Sequence, residues 1–499
     1  MPGGSGSRAR PYSAPMANRE RRRAVAVGVT VAVVAVALLA FAAHEQTNTP
    51  DRAGGTSTAS PRCAPVGPRG IVAGADGMLW VAEYGTPDRQ VRALLRVDPE
   101  TGEGATTGGC DIILAGAVGH RGGPVVDLSD PAVLAPERMG PVTVEPVAAD
   151  DGETELWTSL VGADLIARVE PDADGATDVT LVVDDEVGAP PSSGFIDGPV
   201  VVNQADDGDV YWVNTRPLEG EGILSRLDPD HADCGIAVDP GPRPCRAARY
   251  AHPLLRNALA AGARRGTAEV WVSVWGTAFP ERSPDPCGEG CPHGAVVRID
   301  TNLLPPPPEV ATLSDVPLLA IPDEALTVVA DIGGHPIDEP RGLAFVPERG
   351  PVWVSDRDRI GRVLADDDPA CTIDERPLDD LCRVDEVVGP DRRFGGRSGE
   401  VLAARPATLL WDAARSRLWW TNGDSQFVGR LDAGVDGATT TVTGIDWSVF
   451  TDCRAEPGAT VGASSLALAP DGEVWMTSYE CGIVTTLDSE SGGGSSGAP

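Results

Sequence analysis

Lysine is absent from the whole chain, and all 40 basic residues are arginine. The absence reads as a coding bias toward Ala, Gly, Pro and Arg, and no function is drawn from it. Positive charge is scarce as well. The formal net charge is -34 over 499 residues. Residues 1–43 hold six Arg against one Glu and so carry +5, which leaves -39 on the remainder. A body that acidic repels a phosphate backbone, which excludes nucleic-acid binding. Such acidity serves solubility, or it attracts a cation or a basic partner. Outside the Gly/Ser-rich tail there is no GxGxxG phosphate loop and no GxSxG nucleophile elbow, which removes the usual nucleotide-binding and serine-hydrolase signatures. Cys287-x-x-x-Cys291-x-His293 has no second half nearby, so a four-ligand zinc site is not assembled.

One stretch lacks charge altogether. Residues 24–43, AVAVGVTVAVVAVALLAFAA, follow Arg19, Arg21, Arg22 and Arg23. Twenty apolar or small residues in a helix span a bilayer core of about 30 Å. The basic flank, residues 1–23, stays on the cytoplasmic side, which puts the C-terminal domain outside. The expectation is a single-pass anchor at the cell membrane. A cleaved signal peptide, with Ala40-Phe41-Ala42 as its small-x-small site, is the alternative and would make the protein secreted.

All ten cysteines follow this segment, as befits an oxidising compartment. Cys234 and Cys245 are separated by ten residues, and so are Cys371 and Cys382. Cys287 and Cys291 share a short Pro/Gly-rich loop. These three pairs are expected as local disulfides. Cys63, Cys110, Cys453 and Cys481 can pair in three ways.

Residues 44–62 are polar and read as a tether, and the Gly/Ser-rich tail 491–499 reads as disordered. Between them, residues 63–490 repeat one unit seven times. An aromatic-centred apolar run recurs at Trp80, Trp157, Tyr211, Trp271, Trp353, Trp419 and Trp475, at spacings of 54 to 82 residues. A third run follows each: LLRVD, LIARVE, LSRLD, VVRID, IGRVL, VGRLD and VTTLD. Apolar runs with turn residues between them indicate strands. Fourth strands are visible at 111–115, 179–183, 326–330, 384–388 and 439–444. Sheets of this size bury their faces only by stacking radially, so the fold is all-β, a seven-bladed β-propeller. The last unit has no fourth strand of its own. Closure by residues around 63–68 is expected, and it would bring Cys63 toward Cys481.

The run PRGIVAGADGMLWVAEY (68–84), repeated as PRGLAFVPERGPVWVSD (340–356) and SSLALAPDGEVWMTSY (464–479), resembles the blade of streptogramin lyase-like propellers. The NHL-repeat and gluconolactonase-like propellers share that plan. The resemblance covers most of residues 69–490 and implies the fold. These propellers include lyases, lactonases and binding modules. The lyase type implies a His base beside magnesium, with His before the Gly that opens the inner strand; here Arg69 and Arg341 stand there. Of six His, only His120 and His335 lie in loops leading toward inner strands, and no motif fixes either as a base. The gluconolactonase type implies carboxylates and amides at strand starts; here there is Asn257, with Arg or Pro at several others.

The residue three places past each aromatic falls on one rim: Glu83, Leu160, Asn214, Val274, Asp356, Asn422 and Ser478. Trp275, Arg357, Asp424, Tyr479 and Glu480 lie on the same loops, and Arg69 and Arg341 join from the strand starts. The ligand-binding rim is therefore expected at Arg69, Glu83, Asn214, Trp275, Arg341, Asp356, Asn422, Asp424, Tyr479 and Glu480. In one reading the carboxylates pair with arginines or loop backbone and hold the blades in register. In another, oxygens of Glu83, Asn214, Asp356 and Asn422 converge on calcium or magnesium. The two arginines favour an anionic ligand instead. The third-run arginines (Arg96, Arg168, Arg226, Arg298, Arg362 and Arg430) are spread round the ring, so each is expected to serve its own blade. The expected function is a non-catalytic binding module for an unknown extracellular ligand. A metal-dependent lyase or lactonase is the alternative.

Overall fold

The computed structural model describes residues 65, 67–84, 93–100, 111–113, 117–119, 125–127, 140–148, 154–161, 165–171, 177–183, 199–205, 208–214, 222–228, 245–255, 258–264, 266–275, 294–310, 316–347, 350–363, 382–389, 403, 405–423, 425, 427–433, 439–446 and 462–487. The apolar run 24–43, the tether and the tail lie outside them, as do Cys63 and the side chains of the three expected cysteine pairs. Among the described residues no helix is long and apolar enough to cross a membrane.

Every one of the seven aromatic runs is the second strand of an antiparallel sheet, and every third run is the strand beside it. Blade 1 is built from Pro68–Ala73, Leu79–Glu83, Ala93–Val97 and Asp111–Ile113. Blade 2 uses Gly140–Ala148, Thr154–Val161, Leu165–Pro171 and Thr177–Val183. Blade 3 uses Pro199–Gln204, Val210–Asn214, Gly222–Leu227 and Cys245–His252. Blade 4 uses Ala258–Arg264, Glu269–Val274, Ala295–Asp300 and Leu326–Ile332. Blade 5 uses Leu343–Phe345, Val352–Asp356, Arg359–Val363 and Cys382–Val388. Blade 6 uses Pro406–Asp412, Arg417–Asn422, Phe427–Ala433 and Thr439–Asp446. Blade 7 has Ser465–Leu468, Val474–Ser478 and Ile483–Leu487 among the described residues.

The inner strand of each blade packs against the inner strand of the next, all the way from blade 1 through blade 7 and back to blade 1. The fold is a closed, all-β, seven-bladed propeller. Its core lies between blades. One apolar cluster joins Trp419 and Val428 of blade 6 to Leu466 and Met476 of blade 7. Another joins Ala467 and Trp475 of blade 7 to Ile71 and Val81 of blade 1. Hydroxyls stitch the same junctions. Ser355 Oγ donates to the Pro406 carbonyl (2.9 Å), Thr408 Oγ1 to that of Ser464 (3.1 Å), and Thr477 Oγ1 to that of Arg69 (2.7 Å).

Two features were not expected from the pattern. The outer strand of blade 3, Cys245–His252, continues into additions at Glu309–Val310 and Leu318–Ala320. The outer strands of blades 4 and 5 pair with each other in parallel, Val329 opposite Cys382 and Ile332 opposite Val384. At the ring closure Cys481 is disulfide-bonded, to a partner outside the described residues. The next residue, Gly482, adopts φ 57°. A Cβ placed there would sit 3.4 Å from the Pro65 carbonyl oxygen, so the two chain ends meet at this point.

The third-run arginines do serve their own blades. Strand register sets Trp80 opposite Arg96, Trp157 opposite Arg168, Tyr211 opposite Arg226, Trp271 opposite Arg298 and Trp419 opposite Arg430. An acidic side chain at or before the start of the second strand completes the unit. Asp76 takes Arg96 (3.0 Å) and the Trp80 indole N–H (3.3 Å). Glu155 takes Arg168 and the Trp157 N–H, and Asp209 takes Arg226. Glu269 takes Arg298 (3.4 Å), Arg264 (3.3 Å) and the Trp271 N–H (3.2 Å). Blade 6 reverses the charge: Arg417 stands in the acid's place, and Asp432 takes both Arg417 (2.6 Å) and Arg430 (3.4 Å). Blade 7 carries Thr486 in place of the arginine, and its hydroxyl bonds Glu473 (3.2 Å).

Candidate functional site

The expected rim residues occupy one structural register. Glu83, Asn214, Val274, Asp356, Asn422 and Ser478 each close the second strand of their blade. The side chains of Asp356, Asn422 and Ser478 turn toward local backbone. Asp356 is buried, and its Oδ1 accepts from the Glu339 N–H (2.7 Å) and the Asp338 N–H (3.2 Å). Asn422 Nδ2 donates to the Phe427 carbonyl (2.9 Å), and Ser478 Oγ to that of Gly462 (3.0 Å). Glu83 is fully buried. The side chain of Asn214 and the whole of Asp424 lie outside the described residues. Among the described residues no three His, Cys, Asp or Glu side chains group as metal ligands. Hard cations need six or more oxygens in one place. Asp356 and Asn422, two of the four residues expected as cation ligands, are engaged by loop backbone instead.

Burial pushes the Asp356 carboxyl above its ordinary pKa of 3.8. Hydrogen bonds from the Arg357, Glu339 and Asp338 backbone pull it down, and the Asp338 charge pushes it up again. The lowering terms are outweighed, so this group resists ionisation because it is held dry.

The arginines at the strand starts are where polar and aromatic groups gather. Arg69 and Arg341 are equivalent: each precedes by two residues the inner-strand residue, Ile71 or Leu343, that faces the second strand at Val81 or Val354. Each guanidinium lies on an aromatic ring that follows the second strand of the preceding blade. Arg341 Cζ is 4.8 Å from the Trp275 ring centroid. Arg69 Cζ is 4.3 Å from that of Tyr479 and 4.8 Å from that of Tyr84. The two tyrosine rings meet edge-on, 6.0 Å apart at 72°. Tyr479 is fixed by its backbone N–H to Ser464 Oγ (3.0 Å), and Tyr84 by its N–H to the Gly67 carbonyl (3.1 Å). Both arrangements join two neighbouring blades.

Their electrostatics differ. Arg341 pairs with Glu339 (3.7 Å), which also takes Arg405 (3.4 Å), while Arg357 faces Asp338 (3.9 Å). Arg405 is held at φ 50° by its N–H to the Arg357 carbonyl and its carbonyl to the Gly423 N–H. Arg69 makes no ion pair with a described acid. Desolvation pushes the Glu480 carboxyl above its ordinary pKa of 4.5, while a backbone hydrogen bond and the nearby Arg69 charge pull it down. Residue 480 itself is exposed.

Sequence reasoning placed Arg69, Tyr479, Glu480, Arg341 and Trp275 on the rim, and the structure brings them together as two separate groups. It missed Tyr84, Glu339 and Arg405. Tyr84 sits four places past its aromatic, as Trp275 and Tyr479 do, and that shared offset was the available signal. His335 is exposed in a short strand paired with the outer strand of blade 4. His120 and Asn257 lie outside the described residues.

No family model and no curated protein matches this chain. Solved structures do. A streptogramin B lyase structure aligns over 85% of this chain and 95% of its own, at 13% identity and TM-score 0.43. The Pseudomonas aeruginosa periplasmic gluconolactonase aligns over 76% and 85%, at 11% identity and TM-score 0.41. A nidogen/laminin complex structure aligns over 65% and 86%, at 10% identity and TM-score 0.34.

Proposed function

We propose that the chain is a binding module, anchored by residues 24–43 and displayed outside the cytoplasm, whose rim takes a protein, glycan or small ligand through guanidinium and aromatic groups. The carrying observation is the Arg69 group: a guanidinium in the corner of two tyrosine rings set edge-to-face, with no ion pair to a described acid. Structural arginines in this fold have a different signature. Arg96, Arg168, Arg226 and Arg298 are each matched to an acid inside their blade. Of the rim carboxylates, Glu83 and Asp356 are buried. The location outside the cytoplasm rests on Arg19 to Arg23 flanking the apolar run and on ten cysteines downstream of it.

The test is binding of the purified full-length chain to arrays of acidic and neutral glycans and peptides. Wild type is compared with Arg69→Ala, Arg341→Ala and Arg246→Ala. Arg246 pairs with Glu309 in the open and serves as the control. Retention by wild type and the control, with loss in the rim variants, supports the reading. Equal retention by all four chains contradicts it.

A further inference from the structure

Resting on that reading, we infer that the junction of blades 7 and 1 is a carboxylate-binding site, with Arg69 as the donor and Tyr84 and Tyr479 as its walls. Rings at 4.3 and 4.8 Å from Cζ take up the guanidinium's neighbourhood without taking up its hydrogens, because a ring face accepts the cation's field and forms no N–H···O bond. The guanidinium makes no hydrogen bond to a described residue, which leaves its fork of donors for a partner that brings oxygens. Two in-plane oxygens of a carboxylate match that fork.

Charge selects the carboxylate over phosphate or sulfate. One guanidinium stands at this junction, and the Glu480 carboxylate is near enough to feel its charge. A doubly charged tetrahedral anion would meet that like charge with a single cation to balance it. A singly charged planar group does not carry the excess. The walls also set what is attached: an aromatic face favours an apolar or CH-bearing skeleton behind the carboxylate.

The site belongs to both ends of the propeller. Arg69 and Tyr84 come from the first blade, and Tyr479 and Glu480 from the last. Thr477, in the strand leading to Tyr479, bonds the Arg69 carbonyl, and Cys481, just beyond Glu480, is disulfide-bonded. A ligand on Arg69 therefore touches groups that are together only while the ring is closed. Bound carboxylate should raise the melting temperature, since it binds the folded state and not the unfolded chain.

The experiment is thermal melting and calorimetric titration of the full-length chain with acetate, benzoate, inorganic phosphate and sulfate at constant ionic strength. Acetate and benzoate should raise the melting temperature, benzoate more; phosphate and sulfate should not exceed a chloride control. Arg69→Lys should lose the shift, because a point charge lacks the fork. Glu480→Gln, an exposed and conservative change, should tighten acetate by about fivefold by removing a nearby like charge. A shift that survives Arg69→Lys, or phosphate matching acetate, overturns the inference. So does unchanged acetate affinity in Glu480→Gln. If the array result stands while acetate and benzoate fail, only the carboxylate assignment falls.

Discussion

At the scale of single residues, Asp356 shows how a rim carboxylate can serve structure. Its folded pKa is raised, so between 3.8 and the folded value the native state holds more protons than the unfolded chain. Stability therefore falls as pH rises through that window and is level above it. The ionised form costs stability at neutral pH, while its oxygen still satisfies two backbone N–H groups. Asp356→Asn keeps an acceptor and removes the charge. It should match or exceed the wild type at pH 7 and flatten the fall. Asp356→Ala orphans both donors and should lose about 2 kcal/mol. Urea unfolding at pH 4 and pH 7 distinguishes them: an Asn variant as damaged as Ala would contradict a structural role that needs only an acceptor.

At the scale of the blade, stability comes from an aromatic ring, an arginine across from it and an acid that holds both. Glu269 shows the unit at its strongest, since Arg264 beside it is 1% exposed. Glu269→Ala would take an acid away from that buried charge and should cost about 3 kcal/mol. Glu473→Ala, in an exposed setting with only the Thr486 hydroxyl, should cost less than about 1 kcal/mol. Equal losses in denaturant midpoints would mean that the ion pairs are incidental. Packing is as strict in blade 6, where a Cβ on Gly429 would lie 1.8 Å from the Trp420 ring. Gly429→Ala should therefore cost about 2 kcal/mol or more, read from the same curves.

The blade unit explains what could be read from sequence. The aromatic and the arginine recur because they face each other across two adjacent strands, a relation that local spacing preserves. The outer strand of blade 3 escaped notice because CRAARYAH mixes arginine and alanine without clean alternation. The Arg69 group was half visible. Arg69 and Tyr479 could each be placed on the rim, but their contact joins residues some four hundred positions apart, and only ring closure brings them together. Counting three places past each aromatic selected inward-turned capping residues. The ring-bearing positions lie one residue further on.

At the scale of the whole molecule, the chain closes on itself, and closure creates the site. Thr477→Val keeps the shape and deletes the hydrogen bond from blade 7 to blade 1, for a loss of about 1 kcal/mol. Faster hydrogen exchange in 67–84 and 474–487 than in the strands of blades 4 and 5 would locate that loss at the junction. Uniform exchange would place it elsewhere. The central claim is that the rim works through guanidinium groups and not through a metal. It is tested most directly by titrating a ligand retained on the acidic arrays into wild type, Arg69→Ala and Arg246→Ala, each with a chelator and with calcium. The account predicts wild-type binding that is indifferent to chelator, weakened at least about tenfold by Arg69→Ala and untouched by Arg246→Ala. Binding that chelator abolishes and calcium restores, with Arg69→Ala equal to wild type, would contradict it.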